Sequence, residues 1–147
     1  MLLTAGILSI VVAGLSSLAV ARIKRQRDES EIGKHTVTAE QLHRLFSSSQ
    51  EVLLFDVRQP LDLLAYPEII PGAQRTPMEE LLESPSLIPK EKNAAIYCTC
   101  TSDKTSRMVL RPVLALQFFR VKFLKGGLAA WKGWGYPVEP YQEAFHL

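Results

Sequence analysis

The chain contains the stretch Ala94-Ala95-Ile96-Tyr97-Cys98-Thr99-Cys100-Thr101-Ser102-Asp103-Lys104-Thr105-Ser106-Arg107, in which an apolar run passes directly into a polar and basic segment. Ala94–Cys98 predicts a short buried strand. Thr105–Phe119 predicts a helix in which Pro112 introduces a kink or delays the start. Functional side chains in sheets covered by helices lie beyond the carboxyl ends of the strands, often where a helix begins. Cys98 and Cys100 therefore mark a candidate site.

The same alternation of strand and helix continues on both sides of this stretch. Two further apolar runs predict buried strands: Val52–Val57 and Val121–Leu124. Three helix starts are indicated by capping or turn residues: Thr38 with Gln41, Thr76 with Pro77, and Gly126 with Gly127. The last of these helices is expected to end near Trp131. The predicted fold class is α/β, a mainly parallel sheet flanked by helices.

Positive charge surrounds the cysteine at position 100. The start of a helix leaves backbone N–H groups without partners, and the helix dipole adds partial positive charge. Lys104 and Arg107 add full charges. A cysteine in such a place is expected to exist partly as thiolate, and the same cradle can hold an anionic substrate or a persulfide. Cys98 instead ends an apolar run, where a cysteine is usually a small buried hydrophobe.

Composition excludes several other classes of function. Two cysteines make no disulfide framework, and the three histidines show no metal-ligand spacing, so no metal is expected. Four of the 17 basic residues lie within residues 22–27, which leaves 13 basic against 15 acidic residues in the rest of the chain. A mildly acidic domain is a poor binder of nucleic acid.

The N-terminal segment is uncharged and apolar. Residues 2–21 form a run long enough for a helix of about 30 Å, which predicts a transmembrane helix. The basic cluster that follows predicts a cytoplasmic domain. Residues 22–34 are interpreted as a basic juxtamembrane segment and linker, and residues 35–147 as the domain. The alternative is a signal peptide cleaved after Ala19-Val20-Ala21 and an exported domain, but no Lys or Arg precedes the apolar run.

Four separate motifs resemble the rhodanese superfamily, between about residues 36 and 140. They are Asp56-Val57-Arg58, then Ile70-Pro71-Gly72-Ala73, then Ile96-Tyr97-Cys98, and a C-terminal series of Leu124-Lys125-Gly126-Gly127, Trp131 and Gly135-Tyr136-Pro137-Val138. The resemblance implies a rhodanese-like fold and a sulfurtransferase. Such an enzyme moves sulfane sulfur from a small donor, thiosulfate or a persulfide, to a thiol or a protein acceptor. It works through a cysteine persulfide in two steps and needs no metal or organic cofactor.

The resemblance also assigns the nucleophile. In the family a cysteine opens a short loop that ends in a small hydroxyl or basic residue as the helix starts. The six residues from Cys100 to Thr105, followed by Ser106, match that length, whereas a loop opening at Cys98 is two residues too long. The implied active-site loop comprises Thr101, Ser102, Asp103, Lys104, Thr105, Ser106 and Arg107. Cys98 is then a core residue, or a resolving thiol whose bridge to Cys100 closes a strained ring.

Several residues outside the nucleophile invite two interpretations. Asp103 stands where the family often has glycine. A carboxylate that points toward the thiolate would disfavour it and repel thiosulfate. An Asp that caps the helix would do neither. Asp56 is expected to brace the loop at the strand end and Arg58 to form an internal ion pair, with contact to substrate as the alternative. Tyr97 is expected to lie in the core, and Trp131 and Trp134 are expected to serve packing rather than function.

Two other functions fit the same motifs. One is a non-catalytic rhodanese-like binding module tethered to the membrane, although such modules commonly lack the loop cysteine. The other is a phosphatase related to the fold, which needs Cys, five residues and then an Arg that clamps phosphate. Here the sixth position after Cys100 is Ser106, and Arg107 comes one residue later. The spacing argues against the phosphatase.

Overall fold

A computed structural model describes residues 2–99, 103–118 and 120–142 of the chain. For residues 2–15, 103–107 and 109 it describes the backbone and not the side chains. The chain divides into two compact units, Met1–Lys34 and His35–Leu147. Each unit is described by itself.

The first unit is one helix, α1, that spans Leu2–Lys34. Residues 22–34, which the sequence analysis interpreted as a linker, are therefore helical. Arg, Lys, Gln and Glu are good helix formers and dominate this segment. Two exposed ion pairs support the helix, and the partners of each lie about one turn apart: Arg25 with Glu29 at 2.9 Å and Lys34 with Glu31 at 2.5 Å.

The transmembrane helix expected over residues 2–21 is not confirmed. Among the described residues, no helix is long and apolar enough to cross a membrane. The backbone of this segment is helical, and the side chains of residues 2–15 lie outside the described part of the chain.

The second unit is built from seven strands and five helices. The strands are β1 Thr36–Val37, β2 Val52–Asp56, β3 Glu68–Ile69, β4 Ala73–Arg75, β5 Asn93–Tyr97, β6 Val121–Leu124 and β7 Glu139–Pro140. The helices are α2 Ala39–Ser47, α3 Pro60–Ala65, α4 Met78–Glu83, α5 Asp103–Ala115 and α6 Gly127–Gly133, and a 3₁₀ turn spans Pro85–Leu87.

Five of these strands form one parallel sheet, in the order β1-β6-β5-β2-β4. β3 and β7 pair separately and antiparallel. The predicted α/β class with a mainly parallel sheet is confirmed. The three segments predicted as strands form β2, β5 and β6, the central strands, in which most side chains are buried or half-buried.

One face of the sheet packs against α2 and α6. Leu54 of β2 and Ala95 of β5 are neighbours in register, and both belong to a buried cluster with Leu42, Leu128 and Trp131. This packing holds the central strands between helices, so that their carboxyl ends are fixed relative to one another.

The observed helix starts agree only partly with those predicted from the sequence. The capping box at α2 is confirmed, because Thr38 Oγ1 accepts from the N–H of Gln41 at 3.2 Å and Gln41 Oε1 accepts from the N–H of Thr38 at 3.0 Å. The cap predicted at Thr76 is wrong. Thr76 is buried and its N–H bonds to the carbonyl of Asp56 at 3.0 Å, so it continues the β4 pairing, and α4 begins at Met78.

α5 begins two residues earlier than predicted. It runs from Asp103 with Pro112 inside it, so the proline does not delay the start. Proline removes one N–H, but the helix continues beyond it because the N–H of Leu116 bonds to the carbonyl of Pro112 at 3.1 Å.

Candidate functional site

The candidate site lies at the carboxyl ends of β2 and β5. Asp56 and Tyr97 are the last residues of these strands and are partners in register. From Tyr97 the chain runs through Cys98 and Thr99 toward α5, which begins at Asp103. The predicted nucleophile Cys100 and its neighbours Thr101 and Ser102 lie outside the described residues.

The remaining residues of the predicted loop belong to the first turns of α5. These residues, whose side chains are outside the described part, are Asp103, Lys104, Thr105, Ser106 and Arg107. The last residues of the loop predicted over Cys100 to Thr105 therefore lie in α5. Asp103 lies in α5 and not before it, so it does not occupy the capping position that was one of its two interpretations.

Cys98 is part of the core, as one of its two interpretations predicted. Its exposed fraction is 6 %. Its carbonyl accepts from the N–H of Leu128 in α6 at 3.3 Å, which fastens the end of β5 to the start of that helix. The buried position fits a structural thiol and not a resolving one.

Thr99 carries a feature that the sequence did not indicate. Its hydroxyl oxygen is buried and has no hydrogen-bond partner among the described residues. A buried hydroxyl without a partner costs free energy, so it commonly marks a place where function outweighs stability. It lies one residue before Cys100.

A buried ion pair closes the end of β2. Arg58 donates from Nε to both carboxylate oxygens of Asp56 at 2.9 Å, and from Nη2 to Oδ2 at 2.6 Å. Asp56 is 0 % exposed and Arg58 is 1 % exposed. The internal ion pair expected for Arg58 is confirmed, and such burial fits bracing of the strand end better than contact with a substrate.

Arg58 also fixes the segment that leads to β3. Its Nη1 donates to the carbonyl of Tyr66 at 3.0 Å and its Nη2 to the carbonyl of Glu68 at 2.6 Å. Burial lowers the pKa of this guanidinium, but the hydrogen bond and the charge of Asp56 raise it, and the pKa lies above its ordinary value. Arg58 therefore stays charged and ties two segments together.

Tyr97 joins the same network from β5. Its hydroxyl donates to Asp56 Oδ2 at 3.0 Å and accepts from the N–H of Ile70 at 3.2 Å. Burial and then the charge of Asp56 raise the pKa of this phenol, so it remains a neutral donor. The sequence predicted a core residue and missed the hydrogen bonds. A buried Tyr in place of Phe was the available signal, because its hydroxyl needs a partner.

The two tryptophans have different environments. Trp131 is buried as predicted, and its Nε1 donates to the carbonyl of Pro137 at 2.8 Å. Trp134 is 59 % exposed and stacks on Tyr136 with ring centroids 6.2 Å apart. Trp134 lies at the surface because α6 ends at Gly133, and its packing partner there is Tyr136.

The geometry as a whole forms a rigid base for the loop. Hydrogen bonds from Arg58 and Tyr97 converge on Asp56, and they join β2, β5 and the segment from Tyr66 to Ile70. Within the described residues there is no cluster of His, Cys, Asp or Glu that could hold a metal ion. What the described residues supply is a fixed strand end followed by a helix N-terminus, an arrangement suited to an anionic or thiolate group.

Comparison with known proteins agrees with this geometry. The family model described as a rhodanese-like domain matches residues 38–133. A protein of Allochromatium vinosum named sulfurtransferase is 30 % identical over 102 residues, which cover 69 % of this chain and 92 % of that protein.

Solved structures show the same fold. The rhodanese-like domain of an Anabaena protein is 29 % identical, with a TM-score of 0.61 over 72 % of this chain and 79 % of that one. A Bacillus halodurans protein is 23 % identical, with a TM-score of 0.63 over 82 % and 87 %. Since the family model covers most of the chain, and the 30 % identical relative is matched over 92 % of its own length, the chain belongs to the rhodanese-like family.

Proposed function

We propose that this protein is a sulfurtransferase that carries sulfane sulfur as a persulfide on Cys100. One observation supports this most directly: the segment that holds Cys100 joins the carboxyl end of β5 to the N-terminus of α5. The rhodanese-like domain and the relative named sulfurtransferase support the general role.

The proposed reaction has two balanced steps. The Cys100 thiolate attacks the outer sulfur of the donor, a new S–S bond forms, and the donor leaves as sulfite or as a thiolate. An acceptor thiolate then attacks the outer sulfur of the persulfide, and the electrons of the broken bond return to Cys100. The partial positive charge at the α5 N-terminus favours the thiolate before the first step and after the second.

Asp103 bears on the choice of donor. Asp103 is the first residue that the structure describes in α5, three positions after Cys100 in the chain. Thiosulfate carries both of its charges on one small ion, whereas a persulfide carries one charge at its reacting end, so a carboxylate that faces the donor repels thiosulfate more. We therefore propose a persulfide donor ahead of thiosulfate.

A single substitution tests this choice. Asp103→Asn removes the charge and keeps the size of the side chain, so it should raise kcat/KM with thiosulfate on the order of tenfold. It should change kcat/KM with glutathione persulfide much less. An unchanged ratio between the two donors would show that the carboxylate does not face the donor.

Mass spectrometry of the full chain tests the function itself. After incubation with thiosulfate or a persulfide donor, the protein should gain about 32 Da, the mass of one sulfur. The gain should persist in Cys98→Ser and disappear in Cys100→Ser. No gain with any donor would favour a non-catalytic binding module, and a gain lost only in Cys98→Ser would place the nucleophile two residues earlier.

Membrane attachment with a cytoplasmic domain is a separate proposal. It rests on the uncharged run of residues 2–21 and the basic cluster of residues 22–27. The acceptor is then a thiol or a protein on the cytoplasmic side. Fractionation with carbonate extraction tests it: release of the full chain into the soluble fraction would exclude an embedded helix.

A further inference from the structure

A cavity of about 610 Å³ opens beside β4, at the edge of the sheet. Its walls come from Ala73 to Thr76, which include β4, and from Glu139 to Gln142, which include β7. Small-molecule sites commonly occupy about 300–1,000 Å³, so the cavity is of suitable size. Among the described residues, Asp56 and Arg58 of the buried ion pair do not line it.

Arg75 brings a positive charge to this cavity. It ends β4 and lies next to Asp56 in register, but the carboxylate of Asp56 is already bound by Arg58. The Nε and Nη1 atoms of Arg75 are buried and have no hydrogen-bond partner among the described residues. A partly desolvated guanidinium without a carboxylate is unfavourable, so an anion beside it is stabilised.

Glu139 brings a negative charge from the other side. It lies on β7, is exposed, and lines the same cavity. Within the described part of the chain no ion pair joins it to Arg75 or to another cation. A multiply charged anion is therefore disfavoured there, whereas a ligand that carries both charges complements the two walls.

The edge of β4 adds hydrogen-bonding groups. β4 is the last strand in the sheet order and pairs only with β2 in that sheet. The outer edge of such a strand presents backbone N–H and C=O groups that can bind an extended amide chain.

We propose that this cavity binds a zwitterion of the amino-acid or short-peptide class, with its carboxylate beside Arg75 and its ammonium group beside Glu139. Arg75 is the register partner of Asp56, and Asp56 is the partner of Tyr97, so this wall of the cavity lies at the carboxyl ends of the strands, where the cysteine segment begins. If the proposed function holds, this ligand is the thiol that accepts the sulfur. The binding itself depends only on the two charges and the strand edge. The acceptor role rests on the proposed function.

Direct binding tests the site independently of sulfur transfer. S-methylglutathione is a suitable probe, because it carries the zwitterion and has no thiol to accept sulfur. Titration calorimetry with the full chain should show binding that weakens at least tenfold in Arg75→Gln and in Glu139→Gln. The same changes in the exposed Arg44–Glu40 pair of α2, Arg44→Gln and Glu40→Gln, should leave affinity unchanged.

Three outcomes would overturn the proposal. The first is no binding by the unaltered chain at millimolar probe. The second is equal loss in the α2 control variants. The third is binding of succinate, which has no ammonium group, as tight as that of S-methylglutathione. Arg75→Lys keeps the charge and should retain part of the affinity, which separates loss of the site from loss of the fold.

Acceptor kinetics test the link to function. In Arg75→Gln the KM for glutathione should rise, whereas the KM for dithiothreitol, which has neither charge, should not. Equal effects on both would refute the acceptor role. If no persulfide forms on the unaltered protein, the proposed function is refuted. The proposal that the cavity binds a zwitterion is still tested by the calorimetry.

Discussion

Tyr97 connects three parts of the fold through one hydroxyl group. The hydroxyl donates to Asp56 and accepts from the backbone of Ile70, so it links β5, β2 and the segment before β4. Removing it leaves the buried N–H of Ile70 without this partner. The residue that fixes the base of the loop is therefore two positions before Thr99 and three before the proposed nucleophile.

Tyr97→Phe measures this link. The variant keeps the ring and loses both hydrogen bonds, so the free energy of unfolding should fall by about 1–3 kcal/mol in urea titrations. Tyr66→Phe is the matched control, because Tyr66 is 53 % exposed and its hydrogen bonds to Arg58, Asp62 and Glu68 are made by its backbone, which the substitution keeps. A smaller loss in Tyr97→Phe than in the control would contradict the role of the hydroxyl.

Alkaline pH should lower the free energy of unfolding through the proton of Tyr97. The ordinary pKa of a tyrosine is 10.0, and burial and Asp56 raise the pKa of Tyr97 in the folded protein. Above pH 10.0 the unfolded chain therefore loses this proton while the folded chain retains it, so stability falls as pH rises. The decrease in unfolding free energy between about pH 9 and about pH 11 should be larger in the unaltered protein than in Tyr97→Phe. Parallel pH profiles would refute this.

The turn between β6 and α6 depends on one glycine. Gly126 has φ +74°, and a Cβ there would lie 2.7 Å from the Cβ of Ala130. β6, the turn and α6 follow one another in the chain. The close approach of Gly126 to Ala130 therefore fixes how α6 starts after β6. Gly133 lies in the last turn of the same helix, and an added Cβ would meet nothing within 4 Å.

These two glycines form a matched pair. Gly126→Ala should lower the free energy of unfolding by more than about 1 kcal/mol, because it adds both strain and a clash. Gly133→Ala should leave it unchanged or raise it by about 0.5–1 kcal/mol, since alanine favours a helix. Urea titration of both variants provides the measurement, and equal effects would refute the assignment of Gly126 as the critical position.

The whole molecule consists of a helical unit and a sheet-containing unit. The second, His35–Leu147, contains the whole five-stranded sheet and its buried cluster. The stability of a domain comes mainly from such a core. The family model likewise begins at residue 38, within this unit.

Removal of residues 1–34 should therefore leave a folded domain. The midpoint of urea unfolding and the steepness of the transition should match those of the full chain, because the surface exposed on unfolding the core is the same. Far-UV circular dichroism and tryptophan fluorescence should change together. A fragment without a cooperative transition would show that the first unit is needed for folding.

The sequence by itself determined the elements whose signals are local. The apolar runs at β2, β5 and β6 and the capping box at Thr38 predicted strands and a helix start that the structure contains. Their physical basis lies within a few residues: continuous burial in a covered strand, and side-chain bonds to the adjacent backbone. The order of the motifs indicated the family.

Only the tertiary structure decided the features that join distant residues. Tyr97 is hydrogen-bonded to Asp56, 41 positions away in the chain. Thr76 is hydrogen-bonded to the end of β2, so the helix that follows begins at Met78. Trp134 lies on the surface because the helix before it has ended. The cavity at Arg75 exists because β4 is an edge strand whose neighbouring carboxylate is already bound. Such arrangements depend on which segments meet in space, and spacing along the chain does not encode that.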